Sequence, residues 1–189
     1  MILVPGKFIY LCTPTTGSRS TAKVLLEQCG GVLLSANHHA TKTELNTKAP
    51  NYSEPLYSVL RNPYELLASK YWHRTYKRNL EKHPFSFADF LIEVSANARY
   101  DQFGPILATY QDYVNRYFLY EDGLESFFKM VGFPDVEIPK IGRVNAELNK
   151  TRINWRHLDY KYLQAIDKLF PRDVELYKRV TEQKHGYIH

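Results

Sequence analysis

The chain has 189 residues, a formal net charge of +5, 44% hydrophobic residues and 14% aromatic residues. That length suits one domain with a sizeable core, and that apolar content excludes a disordered chain. No apolar run reaches the length of a membrane span, and residues 1–7, MILVPGK, carry no signal-peptide pattern. Two cysteines, Cys12 and Cys29, fall where core residues are expected, so the chain reads as a reduced, cytoplasmic protein without disulfides. Its basic balance suits an anionic ligand and is also compatible with non-specific affinity for nucleic acid.

The first predicted element is a short strand, Phe8–Cys12, halted at Thr13-Pro14. A turn rich in hydroxyls follows, and then a helical pattern with Ala22, Leu25 and Leu26 on one face, closed by Gly30-Gly31. Strand, turn and helix in that order leave backbone N–H groups free at a helix N-terminus, where the macrodipole favours an anion. Gly17 permits close approach of the backbone, and Thr15, Thr16, Ser18, Ser20 and Thr21 offer hydroxyls. Arg19 adds a fixed positive charge. A plain turn before a capped helix reads the same way, and both the G-x-x-x-x-G-K-[ST] and the G-x-G-x-x-G patterns are absent.

Val32–Ser35 predicts a second short strand, and Thr41–Lys48 a short helix. Leu56–Leu60 predicts a buried strand, Arg61-Asn62 a turn, and Pro63 the first position of a helix reaching about Lys82. Arg61 thus leaves the carboxyl end of a strand, where open α/β sheets bind ligands, and Ser69 lies near the second turn of the next helix. A guanidinium there can fork onto a phosphate that also accepts from the serine hydroxyl. Alternating charges and aromatics over 70–82 suit a solvated basic face. Ser86 caps a helix over 87–98, and Gly104-Pro105 interrupts the chain before a helical stretch to Tyr113. Tyr117–Tyr120 reads as a strand, and Asp122–Val131 as a helix with Leu124, Phe127 and Phe128 inward, closed by Gly132. Asp159 caps a helix to Phe170, and Pro171 opens the last one, ending near Thr181. The alternation predicts a single α/β domain over 1–189, three-layered, with a short central parallel sheet covered by helices on both faces.

The order strand, hydroxyl loop, helix, then strand, Arg-Asn-Pro, helix with a serine eight residues after the arginine, resembles the sulfotransferase family. Those enzymes have a P-loop-like fold and take the sulfuryl group from 3′-phosphoadenosine 5′-phosphosulfate (PAPS). The resemblance implies that the loop Thr13-Pro14-Thr15-Thr16-Gly17-Ser18-Arg19-Ser20 wraps the 5′-phosphosulfate, and that Arg61 and Ser69 hold the 3′-phosphate. Tyr117-Phe118-Leu119-Tyr120-Glu121-Asp122 and the stretch from Ile138-Pro139 to Asn149-Lys150-Thr151 resemble later parts of the family more loosely. By the same resemblance the loop 142–154 closes over the nucleotide, with Arg143 or Lys150 able to reach the 3′-phosphate. Many members carry Lys or Arg directly after the loop proline; here Thr15 stands there, and Arg19 is the other source of that charge.

Sulfuryl transfer needs a base for the acceptor proton, and histidine is the natural one. Of seven histidines, His38-His39 follows the second strand directly, as the catalytic histidine of some carbohydrate sulfotransferases does. Neighbouring side chains in an extended segment point opposite ways, so one of the two faces the donor, His39 in preference to His38. Glu44 is the reserve base. Tyr71 and Trp72 offer stacking faces, although aromatic residues at such positions are more often core. No metal is expected, since no third ligand stands at recognisable spacing from the histidine pair. The expected acceptor is a sugar or small-metabolite hydroxyl, with no membrane or nucleic-acid partner. Two alternatives stand beside this reading. One is another phosphoryl-transfer enzyme, against which the missing loop lysine and Mg²⁺ carboxylate motif count. The other is a nucleotide- or nucleic-acid-binding module without catalysis, which Thr15 keeps open.

Overall fold

The computed structural model describes residues 1–13, 16–35, 42–77, 86–96, 114–139 and 155–184. The chain groups into two compact units, one of residues 1–61 with 109–142, the other of 62–108 with 143–189.

The first unit is a mixed five-stranded sheet flanked by helices. The chain enters through strand β1, Ile2–Val4, turns at Pro5-Gly6-Lys7, and returns as β2, Phe8–Leu11. Lys7 N–H donates to the Val4 carbonyl at 3.0 Å, and Gly6 supplies the positive φ of 70° that the turn needs. After helix α1, Ser18–Gln28, come β3, Val32–Leu33, helix α2, Lys42–Lys48, and strand β4, Leu56–Leu60. Strand β5, Arg116–Leu119, runs through a 3-10 turn, Tyr120–Asp122, into helix α3, Leu124–Met130. The sheet order is β3-β1-β2-β4-β5.

The sequence predicts a parallel sheet, and the structure corrects this. β2, β4 and β5 pair parallel to one another, but β1 is antiparallel to both β2 and β3. Three residues are too few for periodicity to reveal β1, and a tight hairpin rather than a helical crossover joins it to β2. Pairing of Ile2 with both Tyr10 and Leu33 sets β3 in the same direction as β2, at the same level. All four residues of β2 are buried, as the unbroken apolar run FIYL of a central strand requires.

Helix α1 buries Thr21, Ala22, Val24 and Leu25. Leu26, expected on that face, remains 37% exposed, because the buried stripe is centred on Thr21 and Leu25. The helix closes as expected: Gly30 takes φ 68°, and Gly31 N–H donates to the Leu25 carbonyl at 2.8 Å. An aromatic cluster fills the core, with Phe8 stacked on Tyr57 at 5.2 Å and Phe118 edge-on to Phe127 at 5.0 Å. Such pairs add about 0.5–1.5 kcal/mol each beyond the area they bury.

The second unit is helical among its described residues. Helix α4, Pro63–Lys77, helix α5, Phe87–Ala96, a 3-10 turn, Trp155–His157, helix α6, Tyr160–Leu169, and helix α7, Pro171–Lys184, surround Leu67, Phe90, Leu91, Ile166 and Phe170. Ser86 and Asp89 form a reciprocal cap on α5, and Asp159 accepts from Lys161 N–H on α6. The Asn62 side-chain oxygen accepts from the backbone N–H groups of Tyr64 and Glu65 at 3.0 and 3.3 Å. Asn62 is therefore the cap of α4 and Pro63 its first residue, which gives the Asn-Pro pair a local physical reason. No helix among the described residues is long and apolar enough to cross a membrane. The helical stretch predicted before Tyr113 lies outside the described residues.

Candidate anion site at the strand ends

Strands β2, β4 and β5 present their carboxyl ends at one edge of the sheet. Pairing of Leu11 with Ser58 and of Leu60 with Leu119 makes Thr13 the next level neighbour of Leu60, and Arg61 that of Tyr120. Chain segments leave the sheet there into the loop before α1, toward α4, and into the turn before α3.

Buried hydroxyls hold the loop to the strands. Thr13, Thr16 and Ser58 are each fully buried. The Thr13 hydroxyl donates to the Val59 carbonyl, Thr16 to the Thr13 carbonyl at 2.7 Å, and Ser58 to the Leu11 carbonyl at 2.9 Å. The longer hydroxyl contacts, Thr13 to Thr16 at 3.2 Å and Thr13 to Ser58 at 3.3 Å, join the three into one network. Thr21, also fully buried, donates to the Gly17 carbonyl at 3.2 Å. The sequence offers Thr16 and Thr21 as hydroxyl donors to a ligand; in the structure both hydroxyls donate to backbone carbonyls and brace the loop. Beside them the Tyr10 phenol has no hydrogen-bond partner among the described residues. Burial raises its pKa far above the ordinary value, offset slightly by the neighbouring Thr21 and Thr16 hydroxyls. Cys12 is free and buried, and burial likewise raises its thiol, so it is a packing residue rather than a nucleophile.

At the start of α1, Gly17 is the cap residue, in the left-handed region at φ 71°, ψ 16°, and forms no side-chain cap. The first turn contains no acidic residue and carries Arg19, which is exposed. A cation at a helix N-terminus opposes the macrodipole, so this corner is electropositive and favours an anion. Ser18 and Ser20 are half-buried beside it. The glycine has a further reason beyond close approach of a ligand. A Cβ at residue 17 would stand 3.0 Å from Leu124 Cδ1 and 3.3 Å from Tyr120 Cε2.

Arg61 is only 4% exposed, and its guanidinium carbon lies 4.9 Å from the centre of the Tyr120 ring. Tyr120 is a site residue that the sequence reading missed. The sequence pattern puts it inside a strand, whereas it is the first residue beyond β5, as Arg61 is the first beyond β4. Parallel pairing of two strands that both end one residue earlier is the signal that links them. Ser69 lies half-buried in the second turn of α4, in the second unit.

Along the same edge, Ser35 follows β3 and is buried, its N–H directed at the Met1 carbonyl. Its hydroxyl donates to Glu44 Oε1, in the first turn of α2. Glu44, expected as a reserve base, is thus a half-buried carboxylate tied to the strand end rather than a solvated helix residue. Ser35 stands two residues beyond Leu33, as Cys12 stands two beyond Tyr10, and β1 intervenes, so the two strand ends are separated by about 10 Å. His38, His39, Thr15, Arg143 and Lys150 lie outside the described residues.

In the second unit, Tyr71 packs edge-on against Phe87 and Phe90 at 5.2 and 5.5 Å, which makes it core. Tyr64 stacks on Trp155 at 5.8 Å and donates its hydroxyl to Asp167. Burial, together with that carboxylate, pushes its pKa up to about 12. Lys70, expected on a solvated basic face, is corrected: burial lowers its pKa to about 8, offset by Asp173, which is only 2% exposed.

Comparison of the chain with family models, with curated proteins and with solved structures gave no match.

Proposed function

We propose that the chain is a sulfotransferase of the P-loop-like fold, moving a sulfuryl group from PAPS to a hydroxyl of a sugar or small metabolite. The observation that carries this reading is the shared edge of the sheet. An electropositive helix N-terminus and a buried arginine follow the carboxyl ends of adjacent parallel strands, β2 and β4. Two cationic groups on neighbouring strands suit a ligand with two separate anionic groups, and a nucleotide phosphorylated at both 3′ and 5′ positions is such a ligand.

In this reading the N–H groups at the start of α1, with Ser18, Ser20 and Arg19, hold the 5′ end. Arg61 holds the 3′-phosphate, where a planar fork matches phosphate oxygens, and Ser69 is assigned to that phosphate by the family resemblance alone. Arg143 and Lys150 are further cations for the same phosphate by the family resemblance. PAPS supplies an activated sulfuryl group when bound. The chain's own part is to position that group, to neutralise charge on the departing phosphate through the α1 terminus and Arg19, and to take the acceptor proton. In this reading His39, in preference to His38, accepts that proton at a neutral imidazole nitrogen, with Glu44 as the reserve base.

The test is transfer of labelled sulfuryl from PAPS to a panel of sugar and small-metabolite hydroxyls. His39→Ala lowers the rate by about 10²–10⁴-fold while leaving nucleotide binding nearly intact, and His38→Ala does much less. Equal rates in the parent and both variants would assign the base elsewhere, to Glu44 first. A parent that transfers to no acceptor, water included, would favour the binding module without catalysis.

A further inference from the structure

Tyr120 touches both halves of the anion site. Its ring lies 4.9 Å from the Arg61 guanidinium carbon, and its Cε2 lies 3.3 Å from where a Cβ on Gly17 would stand. The ring is itself held. Gly123 N–H donates to the Tyr120 carbonyl at 3.1 Å, closing the 3-10 turn, and Tyr120 and Leu124 pack on the core of the first unit. A guanidinium held over an aromatic face makes that contact through its face rather than its N–H edge, so the ring can orient the fork.

We infer that Tyr120 is a positioning residue that fixes the Arg61 fork at a set distance from the N-terminus of α1, and so selects a nucleotide with phosphates at both 3′ and 5′ positions. This rests on the sulfotransferase reading above and adds to it the residue that sets the spacing of the two anionic groups. The ring acts through Arg61, and the Gly17 turn is the fixed point against which it is held. The property it governs is the preference for adenosine 3′,5′-bisphosphate (PAP) over AMP, because AMP lacks the phosphate assigned to Arg61.

The probes are PAP and AMP, titrated calorimetrically into the parent, Tyr120→Phe, Tyr120→Leu and Tyr120→Met, at a temperature where circular dichroism shows each folded. Methionine fills much of the ring's volume beside Gly17 without an aromatic face, and serves if the leucine variant does not fold. Tyr120→Phe keeps the parental PAP-to-AMP affinity ratio, whereas Tyr120→Leu and Tyr120→Met lower it by about tenfold, the scale of a desolvated cation–aromatic contact. AMP affinity changes little in all of them. A purely structural role would lower both affinities together and leave the ratio unchanged, and that result overturns the inference. Loss of the ratio in Tyr120→Phe overturns it too, since the hydroxyl rather than the ring would then be responsible. A parent that binds PAP no better than AMP removes the sulfotransferase reading itself, and this inference with it.

Discussion

Gly17→Ala probes the junction on which the candidate site is built, because it adds a steric penalty to the backbone strain that Gly6 and Gly30 carry alone. Residue 17 has φ 71°, where an L-residue is strained by about 1–2 kcal/mol. The added methyl also meets Leu124 Cδ1 at 3.0 Å and Tyr120 Cε2 at 3.3 Å. The leucine methyl can yield, but the tyrosine is backed by the core and by the 3-10 turn, so overpacking adds about 1–3 kcal/mol. Reduced freedom of the unfolded chain offsets about 0.4–1 kcal/mol. The expected net loss is about 1–4.5 kcal/mol. Gly6 and Gly30 are the controls: their φ values are 70° and 68°, and a Cβ on either meets nothing within 4 Å. Gly6→Ala and Gly30→Ala therefore lose only the strain less the chain-entropy gain, roughly 0–1.5 kcal/mol. Urea denaturation of the parent and the three variants, with unchanged slope, measures the difference. Gly17→Ala within about 0.5 kcal/mol of both controls would refute a tight approach of Tyr120 and Leu124 to the α1 turn.

Lys70 makes stability depend on pH in a defined direction. Its folded pKa, about 8, lies below the ordinary lysine value of 10.5, so between these values the unfolded chain binds more protons and stability rises with pH. Below about pH 8 the full burden of burying the ammonium is present. Lys70→Met should flatten the rise in stability between about pH 8 and 10.5; an unchanged slope would place the ammonium in water. Asn62→Ala removes the acceptor for two N–H groups at the start of α4 and should destabilise by about 1 kcal/mol in the same denaturation assay.

Much of the architecture is legible in the sequence, because it is written in punctuation. Gly30-Gly31 ends α1, Asn62-Pro63 begins α4, Ser86 and Asp159 cap α5 and α6, and Leu56–Leu60 is found at its predicted bounds. What sequence could not reveal depends on pairing across the sheet. Ile2–Val4 has no pattern of its own and becomes a strand only because Phe8–Leu11 folds back on it. Thr16 and Thr21 look like ligand hydroxyls in a list of residues, yet burial turns them onto the Thr13 and Gly17 carbonyls. Tyr120 meets Arg61 because β4 and β5 are in register, a fact held jointly by two segments far apart in the chain. Lys70 reads as surface because a charge run does not show how deeply the fold buries one of its members.

The central claim is that the sheet edge binds a nucleotide with a 3′-phosphate read by Arg61. Calorimetric titration of PAP and AMP into the parent and Arg61→Ala tests it most directly. The account predicts that the parent prefers PAP, and that Arg61→Ala loses roughly 2–5 kcal/mol of PAP binding with AMP affinity nearly unchanged, since the residue stands beyond a strand rather than within it. Equal affinity of the parent for PAP and AMP, or PAP affinity unaltered in Arg61→Ala, would contradict it.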